Sequence, residues 1–298
     1  KTMESLKPHT LRSFKYFIEF ISIISLFCIF KIIGLKNASW LGGFLAIFIG
    51  PLLRSRKITK KNIEIGLGKL DEEQKIKIIN GMWSNIGRTV SEYIFLKNFR
   101  NLNYVKISGA NHLSQIKKEG KPVIFYSGHF ANFELMKMEL DKFGIKFAAL
   151  HRPLNNFFLE KLKQNLRLKY VCQNYIPKSR LAIREVINKI KDGYSLAIMV
   201  DQRLGEGSNV PLFNQPAQTT TLPAQLALRF NCKLVPIYLE RKKGINFEMT
   251  VYEPYEVQNT GNEKEDIMSI TLKINQVLEK MILNNPKQWL WSHNRWKQ

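Results

Sequence analysis

The chain has 298 residues, 45% hydrophobic and 23% charged, values that exclude a disordered or collagen-like polymer and allow a sizeable core. Its 46 Lys and Arg stand against 24 Asp and Glu, a formal +22, so the surface favours polyanions: nucleic acid, an anionic bilayer face or an acidic carrier protein. Cys28, Cys172 and Cys232 form no CxxC or Cys/His cluster, which argues against a disulfide framework or a zinc site; each reads as a small buried hydrophobe in a reducing compartment.

The first element is apolar. Residues 17–35, FIEFISIISLFCIFKIIGL, are about as long as a hydrocarbon core requires, with Glu19 and Lys31 near the ends where long side chains snorkel. No small-residue cleavage site closes the stretch, so it is expected to stay as a membrane-anchoring helix. A second uncharged stretch, 37–53, is expected to be buried in the body or to lie in the interface. It ends in RSRKITKK, and Arg54, Arg56, Lys57, Lys60 and Lys61 place the remainder of the chain on the cytoplasmic side by the positive-inside rule. Three parts are expected: residues 1–36 with the anchor, an apolar and basic interfacial segment 37–69, and the domain 70–298 that carries the chemistry.

From residue 70 the pattern alternates. DEEQKIKIINGMWSNIGRTVSEYIF has apolar residues at helical spacing behind an acidic first turn. Strands are predicted at 121–126, 146–150, 195–200, 233–239 and 246–251. Helices are predicted at 132–143, 156–168, from Ser179 to 191, at 221–230 and at 264–283. A Gly-containing loop is expected between 200 and 221. Such alternation argues an α/β fold with a mixed, mainly parallel central sheet flanked by helices. In these sheets functional groups gather where strand ends meet the next helices.

The segment SGHFANFE, 127–134, lies at such a place. His129 and Glu134 are five residues apart, so they can meet only if His129 stays in the turn while Glu134 is on the helix. Gly128 would permit that corner. A carboxylate on one ring nitrogen would leave the other free as a general base; an ordinary strand-to-helix corner is the competing reading. GYSLA, 193–197, is a loosened GxSxG, but its apolar run comes after Ser195, whereas a nucleophile elbow needs strand, turn and helix in that order. Cys172 has no supporting spacing as an acyl carrier. The tail WLWSHNRWK keeps a membrane-tethered nucleic-acid binder in view as a remote alternative. It reads better as an interfacial belt with Trp289, Trp291 and Trp296 at headgroup depth, and no nucleic-acid motif accompanies it, so no nucleic-acid partner is expected.

An HxxxxE after a strand, HRP at 151–153, an Asp-Gln loop at 201–202 and VPLFNQPAQTTTLPAQLALRFNCKLVPIYLER together resemble the glycerolipid acyltransferase superfamily. Within it the chain is similar to the late, lauroyl/myristoyl acyltransferases of lipid A biosynthesis, from TKKNIEIGL to PKQWLWSHNRWK. The family commonly has Gly where Gln215 stands here. The resemblance implies a membrane-bound enzyme of the bacterial inner membrane, its catalytic domain on the cytoplasmic side. It would move a fatty acyl group from acyl carrier protein to a hydroxyl of a lipid A precursor, without a cofactor or metal. A lysophospholipid or phosphatidylinositol mannoside acceptor with acyl-CoA is the alternative. By position, His129 is implied as the base and Glu134 as its orienting carboxylate. Arg152 is implied to bind phosphate or substrate, Asp201 and Gln202 match the loop pair, and Gly128 and Asn132 join the substrate-binding set. Anionic membrane lipid and a transient carrier protein are the implied partners.

Overall fold

The computed structural model describes residues 8–177, 182–202 and 207–296; the expected helix start at Ser179 and residues 203–206 of the Asp-Gln loop lie outside them. Helix α1 runs Pro8–Leu53 with one break, at Gly34, whose φ of 80° and ψ of 164° are open to glycine at little cost. By length and composition Leu11–Leu53 is able to cross a membrane. The expected boundary at 36/37 falls inside this helix.

Helices α2 (Arg56–Leu67) and α3 (Glu72–Glu92) come next. Asp71 accepts from the Gln74 amide and Gln74 reaches back, a capping box that explains why α3 starts where the acidic run begins. A 3-10 turn Tyr93–Phe95, α4 (Leu96–Asn101), β1 (Val105–Ser108) and α5 (Ala110–Glu119) complete the approach to the sheet. The sequence pattern assigns nothing to β1 and α5, which are short and carry mixed polar residues.

The central elements are β2 (Ile124–Ser127), α6 (Glu134–Lys142), β3 (Phe147–His151), α7 (Phe157–Tyr170), β4 (Tyr175–Pro177), α8 (Ala182–Lys191) and β5 (Ser195–Met199). Then come β6 (Ser208–Leu212), β7 (Gln215–Thr219), α9 (Leu222–Phe230), β8 (Leu234–Lys243), β9 (Asn246–Val251), α10 (Glu263–Asn284) and a 3-10 turn at Pro286–Gln288. Seven strands form one sheet in the order β1-β9-β8-β2-β5-β3-β4, parallel throughout except for the β8/β9 hairpin. This is the expected mixed, mainly parallel sheet flanked by helices.

Alternate residues of β2 supply the two cores. Ile124 and Tyr126 join α8, α9 and α10 on one side, and Phe125 joins α4, α5 and α6 on the other. A strand covered on both faces reads as an unbroken apolar run, which is how 122–126 reads.

The segment expected as a loop after 200 instead folds into the β6/β7 hairpin. Phe213 and Asn214, both with left-handed φ, make its two-residue turn, and Leu212 pairs with Gln215. Gln215 is therefore the first residue of a strand, and the turn needs no glycine there.

Two further expectations are corrected. Cys28 is exposed on α1, although Cys172 and Cys232 are buried. Trp289, Trp291 and Trp296 are buried in the core and not at headgroup depth. Each indole N–H has an acceptor inside the protein: Asp201 Oδ2 at 3.0 Å, Pro286 O at 2.7 Å and Leu212 O at 3.1 Å respectively. Tryptophans with satisfied N–H groups can be packed without loss, and these close the tail over the sheet.

Candidate active site

Strands β2 and β5 are parallel neighbours with Ser127 opposite Met199. That register makes the residues two positions beyond each strand emerge side by side, and those residues are His129 and Asp201. His129 Nδ1 lies 2.6 Å from Asp201 Oδ1, and the His129 backbone N–H donates to Oδ2 at 2.7 Å. Trp289 Nε1 also donates to Oδ2.

Burial alone would raise the Asp201 pKa, but the His129 ring and these hydrogen bonds bring it down to about 2. An ionised carboxylate only accepts, so Nδ1 carries a proton, and the neutral tautomer this selects has its lone pair on Nε2. Gln202 Nε2 stands 3.3 Å from that nitrogen. A ring held this way can take a proton at Nε2 from a hydroxyl brought to the place the Gln202 amide occupies.

The expected contact between His129 and Glu134 is not made. Between them Ala131 takes a left-handed φ of 45°, and Glu134, the first residue of α6, lies behind the cavity wall, bonded to the lining residues Tyr93, Lys137 and Arg167. Left-handed geometry strains an alanine. Helix α3 holds it there: the Ala131 carbonyl accepts from Asn85 Nδ2 at 3.2 Å and Thr89 Oγ1 at 3.0 Å.

Glu134 is fully buried, with Arg167 Nε at 3.0 Å, Lys137 Nζ at 2.6 Å and the Tyr93 hydroxyl as donors. Burial opposes its ionisation, yet the Lys137 and Arg167 charges hold its carboxyl far below the usual range. Neither Lys137 nor Arg167 was singled out from the sequence. Their signal is a Lys at i+3 from Glu134, and an Arg in a helix whose other basic residues are mostly solvated.

A cavity of about 880 Å³ lies in front of His129, within the usual size of a ligand site. His129, Gln202 and Arg152 line it, so the structure brings these three expected residues together with Asp201 directly behind. Gly128, Asn132 and Glu134 are not part of the lining. A Cβ at Gly128 would sit 2.8 Å from the Phe130 ring, so the glycine serves a close approach and not a positive φ. Asn132 is buried and its amide donates to Glu92 at 2.9 Å.

The rest of the wall has two characters. Leu150, Leu162 and Leu166 make an apolar length, closed by Ile23 and Phe27 of α1. Lys137, Lys163 and Arg167 supply positive charge deeper in the same wall. Backbone N–H groups near Gly128 are a natural place to look for donors to a developing oxyanion. Those of 129, 130 and 131 are already bonded, to Asp201, Gly128 and Gln288 respectively.

A histidine–aspartate pair at the strand ends of an α/β sheet, facing a long apolar cavity with cations in its wall, is an arrangement suited to transfer of an acyl chain, and the chain is an acyltransferase. It belongs to the family of bacterial lipid A biosynthesis acyltransferases, which matches residues 5–298. Among its relatives, the lipid A biosynthesis lauroyltransferase of Escherichia coli K12 is 24% identical over 253 residues, covering 82% of this chain and 79% of that protein. The lipid A biosynthesis palmitoleoyltransferase of the same strain is 23% identical, covering 87% and 84%. A lipid A biosynthesis acyltransferase of Haemophilus influenzae is 23% identical, covering 82% and 78%. The family and the apolar α1 together indicate association with a membrane.

Proposed function

We propose that the protein is an O-acyltransferase that moves a fatty acyl chain from acyl carrier protein to a hydroxyl of a lipid A precursor at the cytoplasmic face of the inner membrane. The observation that carries the reading is the His129–Asp201 pair at 2.6 Å, with Nε2 facing the cavity.

His129 Nε2 takes the acceptor hydroxyl's proton as the oxygen attacks the thioester carbonyl. Collapse of the tetrahedral intermediate breaks the C–S bond, and the imidazolium returns the proton to the departing thiolate. A thioester is already activated, so no acyl-enzyme is required. Asp201 is a positioning residue that fixes the ring tautomer and stabilises the imidazolium. Arg152, exposed at the cavity edge, is the candidate for binding a substrate phosphate, with Gln202 yielding its place to the acceptor. Glu134, Gly128 and Asn132 act by shaping the loop that carries His129.

Purified protein in mixed micelles, given a lipid A precursor and either acyl carrier protein or coenzyme A thioesters, tests the assignment; mass spectrometry reads the acyl unit gained. His129→Ala should remain folded and lose activity by about 10²–10⁴. Asp201→Asn should lower kcat by a similar factor with KM changed only a few-fold. Activity within a few-fold of wild type in His129→Ala would end the mechanism. Preference for coenzyme A thioesters, or for a lysophospholipid, would reassign donor or acceptor while leaving the base in place.

A further inference from the structure

Helix α1 is long enough to span a bilayer, yet both of its segments, before and after Gly34, touch the body. From Tyr16 to Gly50 it is fastened to the body. Asn156 donates to the Tyr16 carbonyl at 2.9 Å and to Glu19 at 3.0 Å, and Phe17 and Phe20 meet Phe158. Ile23 and Phe27 line the cavity, and Phe30 is buried in the core. Ser39 donates to Glu92 at 2.7 Å, and Gly42 and Gly50 lie against α3.

That attachment runs along both segments of the helix, about 27 Å before the break at Gly34 and about 24 Å after it at 1.5 Å per residue, so neither segment is free of the body over the length of a hydrocarbon core. The body alongside is dressed for water: Lys161, Asn165 and Lys169 of α7 are all exposed. Among the described residues, 8–15 extend past the attachment, about 12 Å of helix.

The exposed side is apolar towards both ends: Phe14, Ile18 and Ile21 at one, Trp40, Phe44 and Phe48 at the other, each 46% exposed or more. Charge complements a lipid surface. Between residues 11 and 57 the chain has seven basic residues, all exposed, and one acid, Glu19. Among them Lys31 and Lys36 flank the break at Gly34, where long side chains on a helix lying in the interface can reach headgroups.

We propose that α1 lies in the plane of one anionic leaflet, its outer face sunk to the acyl boundary and its inner face bonded to the body, so that the protein is monotopic. Leu154, exposed and also part of the cavity wall, then sits at the same lipid level, placing the cavity beside the leaflet. The inference concerns how the chain sits in lipid and stands whether or not the acyl donor and acceptor proposed above are correct.

The molecule supplies its own probe. Cys28 is exposed near the middle of α1, while Cys172 and Cys232 are buried. A nitroxide on native Cys28, and on Ile21→Cys and Phe48→Cys in a chain whose other cysteines are replaced by alanine, reports depth by power saturation in phosphatidylglycerol/phosphatidylethanolamine vesicles. The expected depths cluster at about 5–10 Å, as for an interfacial helix. Single cysteines at Leu11 and Arg54 should react with an impermeant maleimide from the same side of the vesicle. A depth that passes through the bilayer centre, about 15 Å down, or opposite sidedness of residues 11 and 54, overturns the proposal. Absence of the Cys28 label from lipid altogether does so too. Native Cys28 needs no substitution at the probe position, and every engineered position but Cys172 and Cys232 is exposed, so the readout survives without a packing change on α1.

Discussion

Asp201 and Glu134 are both buried carboxylates beside cations, but they answer to different partners and should fail differently when changed. Glu134→Ala leaves Arg167 and Lys137 buried without their counter-charge, which should cost about 3–5 kcal/mol of stability, readable by denaturant melts. Activity per folded molecule should fall far less than in Asp201→Asn. His151 offers a pH readout in the same wall. Burial, reinforced by the Arg167 and Lys163 charges, pushes its pKa down to about 4 from the ordinary 6.5. Below 6.5 the unfolded chain gains a proton that the folded one refuses until about 4. Stability should therefore be full above pH 6.5 and decline as the pH falls towards 4, and His151→Gln should flatten the melting temperature across that window. The sequence made His129 legible because it stood just past an apolar strand. It could not disclose that Asp201, 72 residues later, was the partner, since that depends on which strands are neighbours and in what register.

At the scale of elements, the most consequential joint is between α1 and α3. It is built on glycines: a Cβ at Gly87 would stand 2.1 Å from the Gly42 carbonyl oxygen, and one at Gly50 would fall inside the Trp83 ring. Gly87→Val should therefore force the helices apart and lower the melting temperature by several degrees, as overpacking usually costs about 1–3 kcal/mol. Because α3 also holds the Ala131 carbonyl through Asn85 and Thr89, the same change should reduce turnover even in the folded fraction. Apolar stretches 17–35 and 37–53 were readable from composition. Their union into one helix bound to α3 was not, because small residues at a helix contact leave no hydrophobic signature. The β6/β7 hairpin was hidden for a related reason: its turn uses Phe213 and Asn214 in place of the Asn-Gly or Asp-Gly pairs that announce such turns.

For the molecule as a whole, the excess of positive charge was plain in the composition, and its distribution along α1 gives it a direction. Replacing Arg54, Arg56 and Lys57 by Gln should weaken binding to anionic vesicles by roughly 1 kcal/mol per charge, and added salt should shrink the difference. Lys60 belongs in a separate test, because it is paired with Glu72 and its loss would disturb α2. The closing aromatics illustrate the opposite case. Their composition suggested a surface belt, and only the hydrogen-bond partners of the three indoles reveal a core. Ile23 and Phe27 bear on how such a protein can be handled in the laboratory. A fragment made by starting the chain after Gly34 would keep His129 and Asp201 but lose one side of the cavity proposed to take the acyl chain. Chain-length preferences measured on that fragment should be broader than those of the intact enzyme, and would describe the truncation, not the protein.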